Sequence, residues 1–267
     1  MDHFIATLFD PMFQAPWLAG ACLSVVLPLI GLYLRLRNEW LAALGLAQMS
    51  AATGLIGYGF GIPIFIAGSI GGSITALLKN FSAANNTAYA LMILAGWAIT
   101  FLVAANTALG ESLGHTLIDG QLYFINDYLA YTCVALLVVG ITLIRLIKKQ
   151  LLRAQLFPHF EKLNETHTLR WHLSFDLLVA VSMAVATASI GLMTAFAMVF
   201  IPPWLAFRIA PSWKAAGWIA VTFNLAVYMA GFVFAILFDQ PYGPTQVALH
   251  LLASAAVLMV FQLRLKQ

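Results

Sequence analysis

The chain is a succession of long apolar runs separated by short polar breaks. Nine runs stand out, at roughly 16–34, 40–58, 61–78, 87–108, 127–147, 174–190, 192–209, 215–238 and 245–263. Each is near the ~20 residues that an α-helix needs to cross a bilayer. A membrane β-barrel would instead show shorter segments with apolar and polar residues alternating. Runs such as LAGACLSVVLPLIGLYL do not alternate. The pattern predicts an all-α, polytopic membrane protein with about eight to nine transmembrane helices, residues 1–267 forming a single transmembrane domain. Between the sixth and seventh runs lie only Ser189, Ile190 and Gly191, so that pair could be one bent helix or a re-entrant pair.

Composition supports this reading. Hydrophobic residues make up 62% of the chain and charged ones 9%, against about 25% in soluble domains. Mean hydropathy is +0.92. The net charge of +3 does not point to nucleic acid, because there is little soluble face on which bases could cluster. Cys22 and Cys133 lie inside apolar runs with no CxxC or Cys/His spacing, which predicts buried free thiols. The first residues carry Asp2, His3 and Asp10 but no base, so they lack the charged start of a cleavable signal peptide. The first run is therefore expected to stay as a span.

Charge then orients the bundle. With an outside N-terminus, all thirteen Lys and Arg residues fall on the cytoplasmic side, as the positive-inside rule requires. Glu39, Glu161, Glu165 and Asp176 fall there too, while Asp2, Asp10, Glu111, Asp119, Asp127 and Asp239 fall outside. Six of the thirteen bases lie between Arg145 and His172, in a cytoplasmic loop of about 145–173. Pro158 suits the first turn of a helix. His159, Phe160, Glu161, Lys162 and Leu163 would continue it, and Asn164 would end it in the left-handed conformation. Phe160 and Leu163, three apart, share one face. Such a helix could rest on anionic lipid, helped by Lys148, Lys149 and Arg153, or dock on a soluble protein.

Other features shape the interior. Ala67, Gly68, Gly71, Gly72 and Ser73 form a small-residue face that predicts close helix packing. Pro202 and Pro203 are expected to break the seventh run. The Gly57–Gly61 segment with Pro63, and Pro241 with Gly243 and Pro244, predict outside turns. Ionisable side chains within spans are functional candidates, and amides weaker ones. That selects His250 and Gln48, with Asn106 and Asn224 expected as hydrogen-bond partners between helices. His250 can equally be a histidine bonded to a neighbouring helix.

Outside, Glu111, His115 and Asp119 repeat at spacing four; in a helix they could hold a cation, in a loop they form a solvated face. Gly110-Glu111-Ser112-Leu113-Gly114 matches G-x-S-x-G without the strand-to-helix context that motif needs. His159, His167 and His172 lack metal spacing, and the chain has no Walker A or HExxH sequence.

Six motifs, in order, resemble the permease subunit of the bacterial zinc/manganese-type ABC importers. PMFQAPWLAGACLSVVLPLIGLYLRLR is similar to its first span, FGIPIFIAGSIGGSITALL to its third, and TLIDGQLYFINDYL to the segment before its fifth, although Gln121 follows Gly120 where an acid is usual. LFPHFEKLN resembles the coupling helix, IGLMTAFAMVFIPPWLAFRIA the Gly-rich, proline-interrupted span, and FDQPYGPTQVAL the turn into the last span. The resemblance implies a homodimeric permease of the bacterial inner membrane. It also implies a cytoplasmic ABC ATPase docked on residues 158–164, and a periplasmic or surface binding protein that delivers cargo. This chain would hold no cofactor itself; ATP and magnesium would belong to the ATPase.

The likeness also places Leu44, Gln48, Pro202, Pro203 and His250 as translocation-pathway candidates. In the second span the family usually carries an aspartate and, four residues on, a histidine. Here those positions are Leu44 and Gln48. Carboxylate and imidazole are good ligands for a divalent cation, whereas leucine has no donor and an amide is a poor one. A metal chelate or another small solute thus stands beside free zinc or manganese as cargo. The other classes left open are a stand-alone secondary transporter, which would need ionisable groups near the midplane, and a membrane enzyme built on Ser112 and His115.

Overall fold

The computed structural model describes residues 11–81, 86–107, 120, 122–156 and 169–265. Among these residues the regular elements are helical. In chain order they are α1 (Gln14–Leu36), α2 (Trp40–Gly59), α3 (Ile64–Phe81), α4 (Asn86–Asn106), α5 (Asp127–Leu156), α6 (Leu169–Ile190), α7 (Leu192–Ile209), α8 (Trp213–Leu237) and α9 (Tyr242–Leu265). Short 3-10 turns occupy Pro11–Phe13 and Leu122–Phe124. Eight of the nine helices are long and apolar enough to cross a membrane; α3 is slightly shorter.

Tight links join the first three helices and the last two. After α1, Asn38 adopts φ 56°, and the N–H of Glu39 reaches back to the Leu34 carbonyl at 2.9 Å. After α2, Gly61 adopts φ 79° and Ile62 bonds the Gly57 carbonyl. After α8, Asp239 adopts φ 49° and Gln240 bonds the Ala235 carbonyl. All three are Schellman-type caps, in which one left-handed residue lets the next N–H satisfy a carbonyl at the helix end. Glycine takes that conformation freely, and Asn and Asp tolerate it better than other residues.

The α6–α7 junction settles the span count there. Gly191, at φ 84°, is the single residue between them. At its far end α6 contributes Asp176, which pairs with Arg37 just after α1. Phe207, near the far end of α7, lies 5.9 Å from the Arg35 guanidinium at that same end of α1. Both helices therefore run the length of α1 as a hairpin, and are neither one bent helix nor a re-entrant pair. Gly120 packs so closely on the Ile190 carbonyl that a side chain there would overlap it.

Helices α1, α2, α6 and α7 form the interior, with 61–72% of their span residues buried. Helices α4 and α9 lie outermost, at 22% and 17%. The small-residue face of α3 serves packing: Gly68 and Gly72 pass Ser50 of α2, Gly71 passes Thr53, and Gly72 also approaches Ala180 of α6. Without a hydrophobic drive between helices in lipid, such close approach is what gains van der Waals contact.

Pro202 and Pro203 do not break the seventh run, contrary to the expectation from sequence. Helix α7 is continuous through both, and both are buried. Pro203 deprives the Val199 carbonyl of its helical donor. That carbonyl instead abuts Gly31 of α1, where any Cβ would overlap it. Packed protein surrounds the defect, the condition under which a proline is tolerated inside a membrane helix.

Candidate functional site

Two buried polar clusters organise the bundle. The first lies at the end where α1 and α3 finish and α2 and α6 begin. Asp176 accepts from Arg37 Nη1 at 3.0 Å and from Lys79 Nζ at 3.0 Å through Oδ1. Its Oδ2 accepts from the Asn80 amide at 2.8 Å. Glu39 Oε2 meets Arg37 Nη2 at 2.9 Å and Lys79 Nζ at 2.8 Å. Two cations and two anions thus cancel in a ring that spans α1, α2, α3 and α6. Aromatic faces complete the enclosure: the Arg37 guanidinium sits 5.3 Å from the Phe175 ring and Lys79 Nζ 5.7 Å from that of Tyr89. Asp176 is 1% exposed, so its charge depends on these partners.

The second cluster lies halfway along the bundle and begins with a missing hydrogen bond. Pro28, inside α1, leaves the Ser24 carbonyl without its helical donor. Asn224 of α8 fills that place, donating through Nδ2 at 2.9 Å. Its Oδ1 is thereby fixed as the acceptor facing His250 Nε2 of α9, at 2.7 Å. An Nε2–H imidazole donates to that oxygen, and an Nδ1–H imidazole donates instead to the Gln246 backbone carbonyl. His250 Nδ1 lies 3.3 Å from the Gln246 side-chain nitrogen and 2.8 Å from the Gln246 backbone carbonyl. Gln246 Oε1 has no partner among the described residues and fits against α8 because residue 231 is glycine. Ser24, Asn224, Gln246 and His250 are all fully buried.

Beyond this network, towards the other end, the Tyr228 hydroxyl donates to the carbonyls of Pro16 and Trp17. Its ring meets Tyr242 edge to face and Phe232 at a tilt, and Tyr123 meets both Phe232 and Tyr242 edge to face. Burial pushes the Tyr123 hydroxyl up to about 12, so it stays neutral.

The candidates chosen from sequence divide between these regions. His250 and Asn224 are brought together, and the expectation that each bonds a neighbouring helix is met. Asn106 is corrected: it is exposed and donates to the Leu102 carbonyl of its own helix. Gln48 is buried where α4 crosses α2, and Gly96 touches its backbone. Among the described residues its amide has no hydrogen-bond partner. Leu44, one turn earlier, packs against the apolar core. Pro202 and Pro203 lie in the interior of α7, Pro203 against Gly31 of α1.

Cys22 and Cys133 are free and buried, as expected. Pro158, His159, Phe160, Glu161, Lys162, Leu163 and Asn164 lie outside the described residues, as do Glu111, Ser112, His115 and Asp119. Among the described residues no three His, Cys, Asp or Glu side chains converge to hold a metal ion. The ion ring and the roles of Pro28 and Gln246 were not anticipated. The available signal was the placing of Arg37, Glu39, Lys79 and Asp176 on one side of the membrane; which of them touch required the packing.

These features define a polytopic helical membrane protein tied across its helices by an ion-pair ring and a buried amide–imidazole network. Residues 9–262 match the ABC 3 transport family, and the chain belongs to that family. Among curated proteins none matches it. Two solved structures share the fold. The first, PsaBC from Streptococcus pneumoniae in complex with Fab, superposes with a TM-score of 0.84 at 18% identity, covering 96% of this chain and 94% of that one. The second is described as an inward-facing conformation of an ABC transporter of the metal-chelate type. It gives a TM-score of 0.70 at 16% identity, covering 93% and 85%.

Proposed function

We propose that this chain is the membrane-spanning permease subunit of an ATP-binding-cassette importer that moves a metal ion or metal chelate into the cell. The family match over residues 9–262 carries this reading. A second copy would enclose the pathway, a binding protein would deliver cargo outside, and a separate ATPase with its ATP and magnesium would drive the cycle. The N-terminus faces outward in the inner membrane. Supporting this, Arg35, Arg37, Lys79, Arg208 and Lys214 lie at or next to the α1 end that carries the ion ring, the side expected to be cytoplasmic.

On this reading the ATPase docks on residues 158–164, in the segment that joins α5 to α6. Closure of the ATPase pair draws two such segments together and swings α5 and α6. Because Asp176 of α6 is tied to Arg37 and Lys79, that displacement passes directly to α1 and α3. Cargo passes along the Gln48 face of α2. An amide there, with no hydrogen-bond partner among the described residues, suits a neutral or chelated solute better than a bare divalent cation, and the fold likeness to a transporter described as of the metal-chelate type agrees with this. Replacing both Phe160 and Leu163 with Asp should release the co-purifying ATPase while the chain stays folded. Full retention of ATPase by that variant would overturn the docking assignment.

A further inference from the structure

Helices α5 and α8 both pack on α1 and leave a cleft of about 670 Å³ between them. Its floor and walls are apolar, from Val25 and Leu29 of α1 to Ile141 of α5 and Val221 of α8. One end is basic. Arg145, Lys148 and Lys149, at spacing three and four, share a face of α5, and Lys214 stands opposite in the first turn of α8. None of these four cations has a carboxylate partner among the described residues, whereas Arg37 and Lys79 are both paired.

The indole rings of Trp213 and Trp218 also line the cleft, the latter 73% exposed, as amphipathic rings do at a membrane interface. From Val25 to Tyr33 the floor runs about 12 Å at the helical rise, close to half the ~30 Å hydrocarbon thickness. The cleft therefore spans one leaflet, with its basic end at the headgroup level.

We propose that this cleft binds an anionic phospholipid, its phosphate held by Arg145, Lys148, Lys149 and Lys214 and an acyl chain laid on α1. A free phosphate would leave the apolar length unused. A second copy in the same orientation offers only Glu39 and Asp176 as described carboxylates at this end, and both are engaged. Basic pockets between membrane helices on the cytoplasmic side are suited to such headgroups. Gly217 provides a clean probe, because a side chain added there meets open space within the cleft.

The test uses the purified full chain in detergent, with dioleoylphosphatidylglycerol and dioleoylphosphatidylcholine offered together and bound lipid counted by native mass spectrometry. Wild type should retain phosphatidylglycerol preferentially. Changing Arg145, Lys148, Lys149 and Lys214 to Gln should reduce that retention about 10- to 100-fold, and Gly217→Leu, which fills the cleft but keeps the charges, should reduce it comparably. Arg208→Gln with Arg264→Gln should leave it unchanged. Equal retention of the two lipids by wild type would overturn the proposal. So would binding that survives Gly217→Leu but is displaced by inorganic phosphate, which would reveal an anion patch only. Efficient disulfide formation between two Gly217→Cys copies in membranes would overturn it too, by making a second copy the occupant.

Discussion

At one end of the bundle Arg37, Lys79, Glu39 and Asp176 gather four charges, with Lys79 and Asp176 buried; halfway along it Ser24, Asn224, Gln246 and His250 bury dipoles. The difference follows the dielectric. A charge can be buried where opposite charges and the interface lie close, and the ion ring supplies both partners within 3.0 Å. At mid-span an unpaired charge would be far costlier, so a carbonyl freed by Pro28 is met by an amide, and the amide by an imidazole. The first cluster is a lock between helix ends that one substitution unbalances. The second is a repair of a helix defect, which tolerates loss better.

The largest effect should come from the charged region. Asp176→Asn leaves Arg37 and Lys79 sharing Glu39 as their carboxylate among the described residues, and should cost about 3–5 kcal/mol of stability. Thermal melting of the purified chain reads this out, and adding Arg37→Gln, which removes one surplus cation, should recover part of the loss. A melt unchanged by Asp176→Asn would mean that the ring is not a lock.

Next is the α1–α7 contact between the two regions. Gly31→Ala drives a methyl into the Val199 backbone, which cannot rotate away, and should cost about 1–3 kcal/mol. The same methyl at Gly217, facing open space, is the internal control, and equal melts for the two would contradict the packing described.

The mid-span network should respond less. Asn224→Leu unpairs the Ser24 carbonyl and His250 together, yet hydrogen bonds between membrane helices average only about 0.6 kcal/mol, with a maximum near 1.7. A loss of about 1–2 kcal/mol is expected by melting. A cost equal to that of Asp176→Asn would erase the contrast between the clusters.

Smallest in stability is Gln48→Leu, which removes an amide with no partner among the described residues and should move the melt by less than about 0.5 kcal/mol. If Gln48 faces the cargo, uptake by the intact transporter should fall all the same. A variant with normal uptake would remove α2 from the pathway.

Much of this was legible in the chain. Apolar runs of membrane length marked every helix, and the turn residues placed most ends within a few positions. Where reading failed, the cause was tertiary. Pro202 and Pro203 look like a break because a proline removes an intrahelical bond, but Gly31 of a helix distant in sequence shelters the freed carbonyl. Asn106 looks like an interhelical partner because amides in lipid seek one, but it sits at an exposed helix end and turns to its own backbone. Pro28 passed unnoticed because its consequence appears only at Asn224, 200 residues from Ser24.

The sequence by itself determined that this chain lives in a membrane, where its helices run and which ends carry positive charge, because these depend on local hydropathy and on where charges fall along the chain. Only the tertiary structure decided which charges meet, which carbonyls are rescued and where a cleft with a basic rim opens between α5 and α8. Those depend on contacts between residues far apart in the chain, which no local pattern encodes.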